Sequence, residues 1–220
     1  MSLSSPSTHL HTFFLLGALA ASFPPLIRSP ASTLLNTLAP LALLQSLHLL
    51  LHATPVIAPS PPKKKSTPTG PSARRKEKPP PTTSATLITL LLSLLLSLTL
   101  GTTVFYALLI LFGAPATTHV VETVATAAHV ALLAVLPLVY AIGVDGMKWR
   151  DVVALRGDVE EAFLGALGAC LGAWLGAVPI PLDWDREWQK WPITIIAGAY
   201  AGYLLGKTAG WFWKGKKMPF

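Results

Sequence analysis

The sequence predicts an all-α, polytopic transmembrane helical bundle of about six spans, with both termini cytoplasmic. Three observations carry this expectation. Charged residues are 12% of the 220-residue chain and apolar residues 52%, against about 25% charged in a soluble domain. Apolar runs long enough to cross a bilayer recur along nearly the whole chain. Basic residues gather in alternate loops, the pattern that orients membrane proteins. The net charge of +7 therefore reads as topogenic, with no nucleic acid expected. The one cysteine, Cys170, lies in an apolar segment, which excludes an intrachain disulfide and a cysteine metal site.

Residues 1–58 hold the first two spans. Residues 10–27 form an apolar run in which Ala18-Leu19-Ala20 resembles a signal-peptide cleavage site, although no Lys or Arg precedes it. Arg28, Ser29 and Pro30 break the chain before a second run over 31–58. That run carries His48 and His52 one turn apart, the spacing of a two-histidine metal pair, with no third ligand evident. Packing is the plainer expectation. Residues 59–82 are a Pro-rich linker with Lys63, Lys64, Lys65, Arg74, Arg75, Lys76 and Lys78. Such a composition builds no core and fixes this loop on the cytoplasmic side.

Residues 83–220 hold the other four spans. The third, Leu87 to Phe112, is dominated by leucine and ends in a tight turn at Gly113-Ala114-Pro115-Ala116. The fourth, Thr118 to Gly143, places His119, Glu122, Thr126 and His129 on one helix face. Ionisable residues in a span are functional candidates. They make a metal or proton site one reading. The plainer one sets His119 and Glu122 at the lumenal interface and His129 in a hydrogen bond between helices. Residues 144–158 are a mixed-charge loop with a short interfacial helix holding Trp149. Asp158, Glu160 and Glu161 then open the fifth span, where acidic residues complement the helix dipole.

The fifth and sixth spans flank a loop at 181–191 that is crowded with Trp and charge. Gly168, Gly172 and Gly176 recur every fourth residue on the fifth, and Gly198, Gly202, Gly206 and Gly210 do so on the sixth. Such small-residue faces allow close helix packing in lipid. They serve the chain's own helices or a partner's helix. Trp188 and Trp191 precede the sixth span and Trp211 and Trp213 follow it. The interval of about 20 residues, roughly 30 Å of helix, matches the hydrocarbon thickness. Lys214, Lys216 and Lys217 belong to a basic cytoplasmic tail.

No P-loop, dinucleotide fingerprint or nucleophile elbow is present in the sequence, so no catalytic residue and no metal site is assigned. Asp183, Asp185 and Glu187 alternate along the lumenal loop with Trp184 and Arg186. They suit a cation, the amine of a lipid head group, a protein partner or a structural cap. The residues themselves leave two function classes open: a membrane enzyme acting alone on a head group, and a small lipid or solute transporter using Glu122.

The stretch GAWLGAVPIPLDWDREWQKWPITIIAGAYAGYLLG, Gly172 to Gly206, resembles the C-terminal signature of the PIG-F family of glycosylphosphatidylinositol (GPI) anchor biosynthesis. Its specific part is Pro181, Leu182, Asp183 and Trp184, followed by Arg186, Trp188, Gln189, Trp191 and Pro192. Glu187 stands where the family usually has proline. LFGAPATTHVVET at 111–123 resembles the family's central motif, with Phe112-Gly113-Ala114-Pro115 and Glu122-Thr123 in order. The resemblance implies a non-catalytic, multi-pass subunit of the endoplasmic reticulum membrane. Such a subunit stabilises a large ethanolamine phosphate transferase that modifies the third or second mannose of the GPI glycan. It also implies that zinc sits in that catalytic partner, with no cofactor in this chain. Phosphatidylethanolamine or a GPI intermediate is the expected lipid partner. The candidate contact residues are Asp183, Trp184, Asp185, Arg186, Trp188, Trp191, Glu122 and His119.

Overall fold

The computed structural model describes residues 6–53, 55, 83–156, 160–182 and 184–213. The linker, Asp183 and the tail lysines named above lie outside them. Among the described residues there is no strand, and the helices run in the order α1 (Pro6–Arg28), α2 (Pro30–His52), α3 (Thr83–Leu96), α4 (Thr102–Leu111), α5 (Val120–Ile142), α6 (Gly146–Val153), α7 (Glu161–Gly176) and α8 (Ile193–Trp213).

Helices α1 and α2 are separated only by Ser29. Pro30 at the first position of α2 suits a helix start, since its missing N–H would be unpaired there. The Ser29 carbonyl accepts from the Thr33 hydroxyl at 2.8 Å. Helices α3 and α4 form one apolar rod, joined by a wider π turn at Ser97–Gly101. That turn sets Gly101 against Ala131 and Val135 of α5, where an added methyl would lie 3.3 Å from each. The rod is the outermost span. Only 11% of its most apolar window is buried, against 83% for α5.

Helix α5 is thus the axis of the bundle, packed upon by α2, α4 and α7. Its alanine-rich sequence permits that, because small side chains let neighbours approach. Pro137 sits inside it and Pro40 inside α2; neighbouring helices make such prolines tolerable in a membrane. Short α6 is capped by Asp145, which accepts from the Met147 amide at 3.0 Å. Trp149 donates its indole N–H to the Gly143 carbonyl at 2.7 Å.

Five helical segments are long and apolar enough to cross a membrane: Leu10–Arg28, Pro30–His52, Thr83–Leu111, Val120–Ile142 and Glu161–Leu182. The sixth expected span corresponds to the 21-residue α8. Its glycines, tyrosines and Lys207 lower its mean hydropathy, so it is absent from that set. The α1–α2 turn, the α4–α5 turn and the α7–α8 loop share one end of the bundle, the cap end. The starts of α1, α3 and α7 and the finishes of α2, α5 and α8 share the other.

Candidate functional site

The cap end is positioned by the α7–α8 pair, which packs more extensively than any other two helices. Gly172 meets Gly198 and Gly202, and Gly168 meets Gly202 and Gly206. A methyl built on Gly172 would stand 2.8 Å from the Gly198 carbonyl carbon and closer still to its oxygen. Gly176 sits against Thr194 and Ile195, and Gly210 against Glu160 and Glu161. All seven predicted glycines therefore lie in one seam within this chain. The backbones run in contact along it, and the loop at 177–192 closes over a short gap.

Within the loop, Ile180–Leu182 and Glu187–Gln189 are single 3-10 turns. Buried Gln189 ties them together. Its amide donates to the Pro179 carbonyl at 2.7 Å, and its oxygen accepts from the Arg186 backbone N–H at 3.1 Å. These side-chain hydrogen bonds hold the turn that contains Glu187. Trp184 and Trp188 lie 5.8 Å apart with tilted rings. Trp184, Asp185 and Arg186 are exposed, while Trp188 and Trp191 are partly buried. Glu187 forms an ion pair with Lys190, so part of the loop's charge is neutralised internally. Asp183 is outside the described residues.

The central motif forms the neighbouring wall. Gly113 has φ of +95°, a conformation that suits glycine. The buried Thr123 hydroxyl bonds the His119 carbonyl at 2.8 Å and the Pro115 carbonyl at 3.1 Å. It fastens the turn to the start of α5. His119 Nδ1 lies 3.5 Å from Glu122 Oε1. The structure brings His119 and Trp191 together across a cleft of about 550 Å³, whose mouth also holds Arg28, Glu187 and Lys190. His129 lies deeper. Its Nε2 is 3.2 Å from the Thr37 hydroxyl of α2, and its Nδ1 bonds the Ala125 carbonyl at 2.8 Å. The four-residue face on α5 thus divides into a His119–Glu122 pair at the cap and a separate interhelical bond at His129.

At the opposite end lies a cluster that sequence reasoning missed. Lys207 of α8 is 4% exposed. Its Nζ sits 2.8 Å from His11 Nδ1 of α1 and 2.9 Å from His48 Nε2 of α2. The His11 and His48 rings stack at 4.0 Å, and His52 lies 5.0 Å from His48. An ammonium at Lys207 donates to both ring lone pairs. The ring protons are then left on His11 Nε2 and His48 Nδ1, which are buried without a partner among the described residues. One turn along, Tyr203 donates to Gln45 Oε1 at 3.2 Å. Among the described residues no three His, Cys, Asp or Glu side chains are grouped as a metal would require. The His48–His52 spacing was a signal of this cluster. The lysine that completes it gave none.

Comparison with known proteins places these features. The model of the GPI biosynthesis protein family Pig-F matches residues 10–211. Glycosylphosphatidylinositol anchor biosynthesis protein 11 of Aspergillus fumigatus is 44% identical, over 96% of this chain and 81% of its own length. The Neurospora crassa protein of the same name is 56% identical over 51% of this chain and 42% of its length. The human GPI ethanolamine phosphate transferase, stabilizing subunit, is 32% identical over 53% of this chain and 56% of its length. No solved structure matches. The chain belongs to the Pig-F family of GPI biosynthesis proteins.

Proposed function

We propose that this protein is the non-catalytic stabilising subunit of a GPI ethanolamine phosphate transferase. It supports transfer of phosphoethanolamine to the third or second mannose of the GPI glycan in the endoplasmic reticulum membrane. Its partner is the large catalytic subunit, which carries the zinc. A membrane lipid, phosphatidylethanolamine or a GPI intermediate, is a further partner. The reading takes α8 as the sixth span. It sets the cap end in the lumen, because that end holds only Arg28, Arg186 and Lys190 among the loop cations, and Lys148, Arg150 and Arg156 lie at the other.

The observation that carries this proposal is what the α7–α8 pair leaves free. The glycine faces are turned inward on each other. The two helices expose Leu171, Trp174, Leu175 and Leu205, and the loop that joins them exposes Trp184, Asp185 and Arg186. A rigid helix pair with an apolar back and a polar, aromatic cap suits a partner that has both transmembrane and lumenal parts. The relatives whose names specify a stabilizing subunit support the same role.

Purification of the tagged protein from its own membranes in mild detergent, followed by mass spectrometry, tests this. The expected result is a stoichiometric large transferase subunit, whose recovery falls with Gly202→Leu. Recovery of the protein alone, together with unchanged GPI anchoring in cells that lack it, would overturn the reading.

A further inference from the structure

Two cavities follow one another along the junction of α1, α2 and α8. The first is the cleft at the cap, with Arg28, His119 and Lys190 at its polar mouth. The second is a smaller cavity of about 100 Å³ among α1, α2, α5 and α8, lined mainly by aliphatic side chains such as Leu15, Leu19, Leu41 and Ile196. The two run in register on each helix. Ile27 lines the first and Leu26 the second; Pro30 is followed by Thr33, and Ile193 by Ile196. The cleft is charged at its mouth and the cavity next to it is mainly apolar.

We propose that the cleft, with the cavity next to it, is a binding site for one phospholipid, with its phosphodiester at the mouth beside Arg28 and Lys190 and only a few carbons of an acyl chain in the aliphatic cavity. The charges favour an anion. Arg28 is exposed and forms no ion pair among the described residues, and a guanidinium matches a phosphate in geometry and charge. Glu187 is paired with Lys190, so Arg28 is the stronger anion receptor of the two cations at the mouth. The mouth volume falls within the range of about 300–1,000 Å³ usual for ligand sites. The site stands on α1, α2 and the α4–α5 turn as well as α8, so it does not depend on the transferase reading.

Native mass spectrometry of protein purified in mild detergent, with lipid identification, tests the proposal. Palmitoyl-oleoyl phosphatidylethanolamine and palmitoyl-oleoyl glycerol are then offered as probes. The expected result is one phosphodiester lipid retained per chain and no retention of the diacylglycerol. The retained mass separates a glycerophospholipid from a glycosylated phosphoinositide; both carry the group that Arg28 and Lys190 recognise. The double substitution Arg28→Gln with Lys190→Gln, at exposed positions, should lower retention about tenfold, as should Ala18→Phe, which fills the aliphatic cavity. Equal retention by wild type and the double variant, or diacylglycerol held as well as phospholipid, would overturn it. Partner recovery scored in the same preparation separates failure of the lipid site from failure of the transferase reading.

Discussion

Substitution of Gly172 by alanine isolates the contact that organises the cap. The added carbon would lie 2.8 Å from the Gly198 carbonyl carbon and 2.9 Å from the Gly202 Cα. Carbon–carbon contacts settle at about 3.5–4.0 Å. The Gly198 carbonyl oxygen would be closer still, so the α7 and α8 axes must part by more than about 1 Å, and the obstructing atoms are backbone, which cannot rotate away. Overpacking of this kind costs about 1–3 kcal/mol. The better helix propensity of alanine offsets at most about 1 kcal/mol of it. A net loss of about 1–2 kcal/mol corresponds to a fall in Tm of roughly 2–8 °C for a chain of this size. Gly17→Ala is the matched control, because a methyl there meets nothing within 4 Å. The assay is thermal unfolding of both variants in the same detergent, read by gel filtration of the surviving monomer. If Gly172→Ala melts with Gly17→Ala and wild type, the seam does not depend on backbone contact, and the account of how α7 and α8 position the loop is wrong.

Gln189→Ala removes both bonds across the loop and should cost about 1–3 kcal/mol, read as faster proteolytic cleavage within 177–192 while the helices stay protected. A double-mutant cycle on His11→Leu and Lys207→Met should give a coupling energy of about 0.6–1.7 kcal/mol, the scale of polar contacts between membrane helices; strict additivity of the two Tm changes would disprove the bond. Gly113→Ala, forced to a φ of +95°, should lose about 1 kcal/mol, seen as a Tm lower by a few degrees with no change in helix content by circular dichroism.

The helices were legible because each apolar run is bounded by proline, glycine or charge. Ser29-Pro30 and Gly113 to Ala116 mark their breaks in the sequence itself. The glycine seam was legible from spacing, since residues every fourth position share a face wherever the helix packs. Which surface would meet that face was not legible, and the structure places it inside the chain. The π turn at Ser97–Gly101 was hidden because a run of leucines is apolar on every side and carries no phase. The cleft was half visible. His119 and Trp191 stood out locally, but Arg28 read only as a loop charge, and its approach to Lys190 depends on the packing of α1 beside α8. Lys207 was the least legible. It is a single cation in a glycine-rich apolar run, and its partners lie 196 and 159 residues away.

That separation bears on how the protein is made. His11 and His48 are synthesised 196 and 159 residues before Lys207, so the amine that meets their ring nitrogens arrives only with α8. Until then two imidazoles stand in a lipid-facing hairpin with no partner from the rest of the bundle, an arrangement that membranes penalise. Docking of Lys207 ends that interval and draws the first hairpin onto the finished core. A chain halted before Lys207 would carry both imidazoles without the amine that joins them to α8.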